Sequence, residues 1–258
     1  MKKLEDLIKG FQILAEKFKK LVESIDWVKI KQVLEYLTKQ LPKGIENLSV
    51  ELANRGWFIW VWDFDTPLEE VVDKLSNLIG KCKEDQDNYL AGYITSQIEA
   101  IEQELLIEYP DRTKQIEDSF KTHKLKLYSA SVPTLICLSE GICRDHYPRI
   151  GLYSKHTRDK KNKKPGMPKT NDIFDKIPPL EVYEEMVLKP LKISSDVTKT
   201  IRNPNNEEQK MFNRHLIIHG LSKEYGTKAN SLKAVSLAYF IHKSLCYLKK
   251  KSKKRDQA

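Results

Sequence analysis

Apolar residues recur at alternating spacings of three and four through Leu4, Leu7, Phe11, Leu14, Phe18, Leu21, Ile25 and Val28. This period predicts a helix packing on a neighbour. A second pattern, Ile30, Val33, Leu34, Leu37 and Leu41, runs to Pro42 and completes an α-hairpin. A dimerisation coiled coil would need a longer strict repeat. From Leu48 the pattern changes, and residues 52–66 are dense in aromatics and poor in helix formers. A short strand or an extended segment over the helices would fit. Such aromatics can stack on bases, but apolar neighbours this dense favour a place in the core. Thr66-Pro67 then predicts a helix start, with Glu69 and Glu70 complementing its dipole.

Four successive helices are predicted, Leu68 to Lys83, Asn88 to Tyr109, Thr113 to His123 and Leu125 to His146, separated by polar or Pro/Asp turns. The stretch from Tyr128 to Cys143 is nearly continuously apolar and belongs at the centre of a bundle. Pro133 there predicts a kink or a late start. Glu140 in such surroundings needs a partner, with Arg144 one turn on the simplest and the Arg214 site the alternative. Pro165 and Pro168 make residues 155–169 a loop, and two helices are expected around Asp172 to Ile177 and Leu180 to Val187. A single helix is expected from Glu207 to His219, capped by Asn206, with Phe212, Leu216 and Ile217 inward. Gly220 ends it, and Thr227 caps the last helix, which is apolar over an arc wide enough for a bundle plus a dimer contact.

Composition adds three constraints. With 40% hydrophobic and 31% charged residues, the chain is that of a folded soluble protein. No apolar run reaches bilayer length and the N-terminus lacks signal-peptide regions, which predicts a cytoplasmic protein without a membrane partner. Cys82, Cys137, Cys143 and Cys246 have neither metal-ligand nor disulfide spacing and are expected to be reduced and packed as small apolar groups. The sequence offers no nucleotide-binding loop, and no cofactor is expected. The net charge of +9 and a pI near 9.1 suit a polyanionic partner. Seven Lys/Arg against one acid lie in 155–169, among them Lys155, Arg158, Lys160, Lys161, Lys163 and Lys164, and six with no acid lie in 249–255. Solvated loops and frayed tails also collect lysines, so RNA contact and simple solvation both account for these runs.

The chemistry concentrates in Arg214, His215 and His219. An imidazole can move a proton to or from a ribose hydroxyl, and a guanidinium can hold a phosphate by two hydrogen bonds. On one helix His215 and His219 share a face, whereas Arg214 and His219 point about 140° apart at roughly 100° per residue. These two would meet only over a groove or a subunit boundary. A structural role is the plain alternative, the histidines capping carbonyls and the arginine pairing with a carboxylate. A zinc site is disfavoured because Leu216 follows His215 where a zinc protease carries Glu, and no third ligand is near.

The string Arg214-His215-Leu216-Ile217-Ile218-His219 resembles the signature of HEPN domains, an Arg, a polar residue, a few others and then a His on a helix of an α-bundle. The wider run from Asn213 through Tyr225-Gly226-Thr227 to Asn230-Ser231-Leu232-Lys233-Ala234, together with Arg55-Gly56-Trp57-Phe58, resembles a group of bacterial HEPN-like proteins over most of the chain from Leu48 onward. The resemblance implies an all-α fold, with an N-terminal helical lobe over 1–112 and a HEPN-like bundle over 113–258. It further implies a metal-independent endoribonuclease of toxin or phage-defence type, acting as a homodimer on RNA, with an antitoxin or regulatory protein as a further partner. His219 would move the proton and Arg214 would hold the phosphate. His215 stands where Asn or Asp is commoner, which leaves its share of the work open. Asn213, Tyr225 and Glu140 are the supporting candidates. The rival implication is a non-catalytic HEPN-like module that binds RNA or a protein.

Overall fold

The computed structural model describes residues 41–60, 81–157 and 165–255. Among them there are nine α-helices and no strands: α1 (Leu41–Asn54), α2 (Lys83–Glu108), α3 (Thr113–Lys124), α4 (Tyr128–His146), α5 (Asn171–Phe174), α6 (Val182–Lys192), α7 (Asn206–Gln209), α8 (Arg214–Ile218) and α9 (Lys228–Arg255). None of these helices is long and apolar enough to cross a membrane. The chain divides into two compact units, Met1–Gly44 and Ile45–Ala258. The N-terminal hairpin, most of the helix expected from residue 68, and residues 61–66 lie outside the described residues.

Four long helices build the core of the second unit. α2 packs on α3 and α9, and α4 packs on the same two, so the four close into a ring. Each shows the periodicity that requires it. In α2, Leu90, Ile94, Ile98, Ile101 and Leu105 form one buried stripe at spacings of three and four. In α3, Ile116 and Phe120 do the same from adjacent turns. α4 buries Val132, Leu135, Ile136, Leu138, Ile142 and Cys143, and α9 is buried over an even wider arc. Removing a large apolar side chain of this kind from water stabilises by about 1.5–3 kcal/mol. Ser231 of α9 ties three of the helices together, its hydroxyl 2.7 Å from His123 Nδ1 and 2.8 Å from the Ser131 hydroxyl.

The Phe240 side of α9 is covered by the aromatic segment of its own chain. Trp57, Phe58 and Trp60 are buried, and the Phe58 and Trp60 rings lie 5.6 and 6.4 Å from that of Phe240. The core reading of the aromatic segment therefore holds over 57–60. Two local features fix this segment. Gly56 has φ +91°, and a Cβ there would stand 2.5 Å from the Phe212 ring, so only glycine fits. Arg55 is hydrogen-bonded to Gln86 and Asp87, and the Trp57 indole N–H donates to Asp87 at 2.9 Å.

Two prolines lie inside helices, and both gaps are filled. Pro133 lacks the N–H that would bond Ser129 four residues earlier, and the Tyr225 hydroxyl donates to that carbonyl instead at 3.1 Å. Pro190 likewise frees the carbonyl of Met186, which accepts from the Ser49 hydroxyl at 3.1 Å. α4 thus begins before Pro133, at Tyr128, and α6 continues through Pro190 beyond its expected end. The tail also departs from expectation: α9 is helical through Arg255, and both Tyr247 and Lys251 bond Glu184 of α6.

Candidate functional site

The single helix expected from Glu207 to His219 is two short ones. Asn205, rather than Asn206, caps α7 through a reciprocal capping box with Glu208. The chain then turns, and Asn213 caps α8 by accepting from Leu216 N–H at 2.9 Å. Asn213 is fully buried, and its amide donates to the carbonyls of Asp196 and Lys199. A side chain with all its bonds made to backbone is a fastener, so Asn213 positions Arg214 and leaves no donor for a ligand. It is worth about 1 kcal/mol as a cap alone.

Arg214 opens α8 and lies over the Tyr153 ring, guanidinium carbon to ring centre 5.3 Å. Tyr153 is itself clamped to α4, its hydroxyl donating to the Ile136 carbonyl at 3.2 Å and its N–H to Glu140 Oε2 at 3.3 Å. Glu140 also accepts from Arg144 Nε at 2.7 Å. It therefore pairs with Arg144 and reaches the Arg214 region only by holding the tyrosine beneath the arginine. His219 ends α8, exposed, with its ring centre 4.5 Å from that of His215. His215 Nδ1 is buried without a partner. Burial, followed by the charges of His219 and Arg214, holds the His215 pKa below its ordinary value against a backbone hydrogen bond with Ile201 that raises it, and Arg202 adds to the lowering. The three residues thus lie along one short helix, Arg214 engaged at its start and His215 packed at a tilt against His219 at its end.

The other polar residues of the surrounding string have structural occupations. Tyr225 donates its hydroxyl to Ser129 O of α4 and so serves as a strut. Gly226 lets the chain approach Ser129, where a Cβ would stand 3.2 Å from backbone N. The Thr227 hydroxyl accepts from Asn230 N–H at 3.1 Å, capping α9 as expected. The Asn230 amide donates to the Tyr225 carbonyl, and Lys233 stands over Trp57 and near Asp87. Among the described residues Arg214 has no carboxylate partner, and neither His215 nor His219 has an acidic one.

Of the basic loop, Lys155 is described, whereas Arg158, Lys160, Lys161, Lys163 and Lys164 lie outside the described residues. The loop's two ends are tied by His156 N–H to Met167 O at 2.8 Å, Gly166 N–H to His156 O at 2.8 Å and Lys169 N–H to Ser154 O at 2.9 Å. Lys155, two residues from the Tyr153 platform, has its pKa lowered by burial and by Lys199. The neck of the loop and Arg214 therefore occupy neighbouring ground, and its cations are crowded.

A second cluster has no counterpart in the sequence reading. On α9, His242 and Cys246 are one turn apart, with Sγ 3.6 Å from Nδ1. His242 Nε2 lies 3.1 Å from Glu104 Oε1 of α2, and that carboxylate also accepts from Lys243 and Tyr239, each at 3.0 Å. The Tyr109 hydroxyl sits between two imidazoles, 3.0 Å from His242 Nδ1 and 2.9 Å from His146 Nε2. Cys246 is thus no packed apolar group. The one signal available in sequence was His242 and Cys246 four apart, on the same face of a predicted helix.

No family model matches the chain, and neither a curated protein nor a solved structure matches it.

Proposed function

We propose that the chain is a HEPN-type, metal-independent endoribonuclease that works through Arg214, His215 and His219. The observation that carries the reading is one of occupation. In the string from Asn213 to Lys233, Asn213, Tyr225, Thr227 and Asn230 serve as caps and struts, whereas among the described residues these three cationic or titratable groups have no acidic partner and lie on a short, capped helix. Structural cations usually acquire carboxylates, and groups left without them suit an anionic ligand.

In this mechanism Arg214 holds two oxygens of the scissile phosphate. His215, whose pKa is lowered, is neutral near pH 7 and takes the proton of the ribose 2′-OH. The 2′ oxygen attacks phosphorus in line, the bond to the 5′ oxygen breaks, and protonated His219 supplies the proton to that leaving oxygen. A 2′,3′-cyclic phosphate remains. Arg214 stabilises the charge that grows on the phosphoryl oxygens. Because Arg214 sits at one end of α8 and His219 at the other, a second copy of the helix completes the cleft, which makes the active form a homodimer.

Purified protein incubated with total RNA and a chelator is expected to leave cyclic phosphate ends. Arg214→Ala and His219→Ala should each lower the rate by about 10²-fold or more with unchanged helical content. Full activity in the double variant would overturn the assignment. RNA binding without cleavage by the native protein would favour a non-catalytic RNA-binding module, and cleavage abolished by the chelator would point to a metal.

A further inference from the structure

We propose that Cys246 is a reactive nucleophile, set by His242, Glu104, Tyr109 and His146 on three helices, and a site at which small disulfides reversibly modify the protein. The geometry has the order that activates a thiol: a sulfur in contact with an imidazole, and a carboxylate on the far nitrogen of that imidazole. Cys246 Sγ, His242 Nδ1, His242 Nε2 and Glu104 Oε1 follow one another at 3.6 Å across the contact and 3.1 Å at the far end. Glu104 is fixed by Lys243 and Tyr239, so the imidazole cannot rotate away without breaking several bonds. The Tyr109 hydroxyl, 3.0 Å away, shares the Nδ1 that faces the sulfur and links the ring to His146.

Charge runs the same way. Burial would push the Cys246 thiol up, but bonds from His146 and His242 and their charges outweigh it and bring the pKa down to about 6. His242 moves oppositely, to about 9, because its bonds to Cys246 and Glu104 overcome its burial. Among the described residues the groups facing the sulfur are Glu108 of α2, Tyr109 just after it, His146 from α4, and His242 from its own helix. Glu108, 3.8 Å from Sγ, opposes a negative sulfur. The remaining cysteines differ. Cys143 is buried, bonds the Ile150 carbonyl and is pushed up to about 12. Cys82 and Cys137 are exposed, with no imidazole bonded among the described residues.

Glu108, in contact with Sγ, lines a polar cleft of about 370 Å³ together with Tyr109, Arg112, Asp145, His146 and Lys249, and Cys246 beside it is half-buried rather than enclosed. This volume suits a small polar molecule. In the reaction the sulfur of Cys246 attacks one sulfur of the disulfide. A new S–S bond forms as the old one breaks, and the departing thiolate takes its proton from water. The disulfide is the oxidant, reduced by the two electrons that the protein thiol supplies, and a free thiol reverses the step.

The test uses the full chain, folded, with a chromogenic aromatic disulfide at limiting concentration and mass mapping of the modified cysteine. At pH 7 Cys246 is expected to react at least about tenfold faster than Cys137 or Cys82, a preference lost in denaturant. Cys246→Ser should remove the fast phase. His242→Gln should slow it by about tenfold, whereas Glu108→Gln should leave it intact or speed it. Glu104→Gln serves if the His242 variant does not fold. Reaction of native Cys246 no faster than Cys137, or a rate indifferent to both His242→Gln and Glu104→Gln, would show the cluster to be a structural hydrogen-bond network and overturn the proposal.

Discussion

His215 has the environment that most constrains the proposed chemistry. Its pKa is lowered first by burial, then by the charges of His219 and Arg214, with Arg202 contributing, and these outweigh a backbone hydrogen bond with Ile201 that raises it. The sign follows directly: a base with a lowered pKa keeps its neutral form to lower pH, so activity on the acid side is lost only below the ordinary histidine value of 6.5. The acid limb of kcat/KM for RNA cleavage should therefore lie below pH 6.5. Arg202 is exposed and offers a way to shift that limb without touching the helix. Arg202→Ala removes one repelling charge, and the limb should move up by about a few tenths of a pH unit, less at high salt, with little change in the maximum rate. A limb that stays in place in this variant, or one that lies above 6.5 in the native protein, would remove His215 from the role of base.

At the scale of the element, Pro133 and Tyr225 form a coupled pair. The proline frees the Ser129 carbonyl and the tyrosine hydroxyl satisfies it. Tyr225→Phe should cost about 1 kcal/mol in the native background, the usual net value of such a bond. In a Pro133→Ala background the backbone N–H of residue 133 serves the same carbonyl, and Tyr225→Phe should then cost nearly nothing. Denaturant unfolding of the four proteins measures this coupling, and equal costs in both backgrounds would refute it. The same pair marks the limit of what sequence conveys. The periodicity of α3 and α9 and the cap at Thr227 are local, and each was legible residue by residue. The break between α7 and α8 was not, because Phe212, Leu216 and Ile217 keep a helical period across it. What decides the break is Asn213 reaching the carbonyls of Asp196 and Lys199, contacts distant in the chain. The candidate site divides in the same way. Arg214, His215 and His219 stand close together in sequence, whereas the Cys246 cluster draws on residues 104–109, 146 and 242–246, and only the folded ring of helices brings them together.

On the scale of the whole molecule, charge and topology suggest how a polyanion would reach α8. The two ends of the basic loop are joined by three backbone hydrogen bonds between residues 154–156 and 166–169. Tyr153, at one end of that neck, is the platform under Arg214. A closed neck means that the residues beyond it can be exchanged without opening the chain around it. Residues 158–164 hold five Lys/Arg, namely Arg158, Lys160, Lys161, Lys163 and Lys164, and one acid, Asp159. Replacing 158–164 by a neutral Gly/Ser segment of the same length should leave the melting temperature within a few degrees, because the neck bonds and Tyr153 are retained. RNA affinity should fall, and its dependence on salt should fall with it. Each cation that neutralises a phosphate of single-stranded RNA contributes about 0.7 to the slope of log K against log salt concentration. If the loop guides RNA to Arg214, the slope of the variant should be shallower by about 0.7 for every loop cation engaged, so the difference counts the contacts. An unchanged slope with unchanged affinity would make these lysines a solvated surface, and the RNA would have to be held by α8 and its neighbours alone.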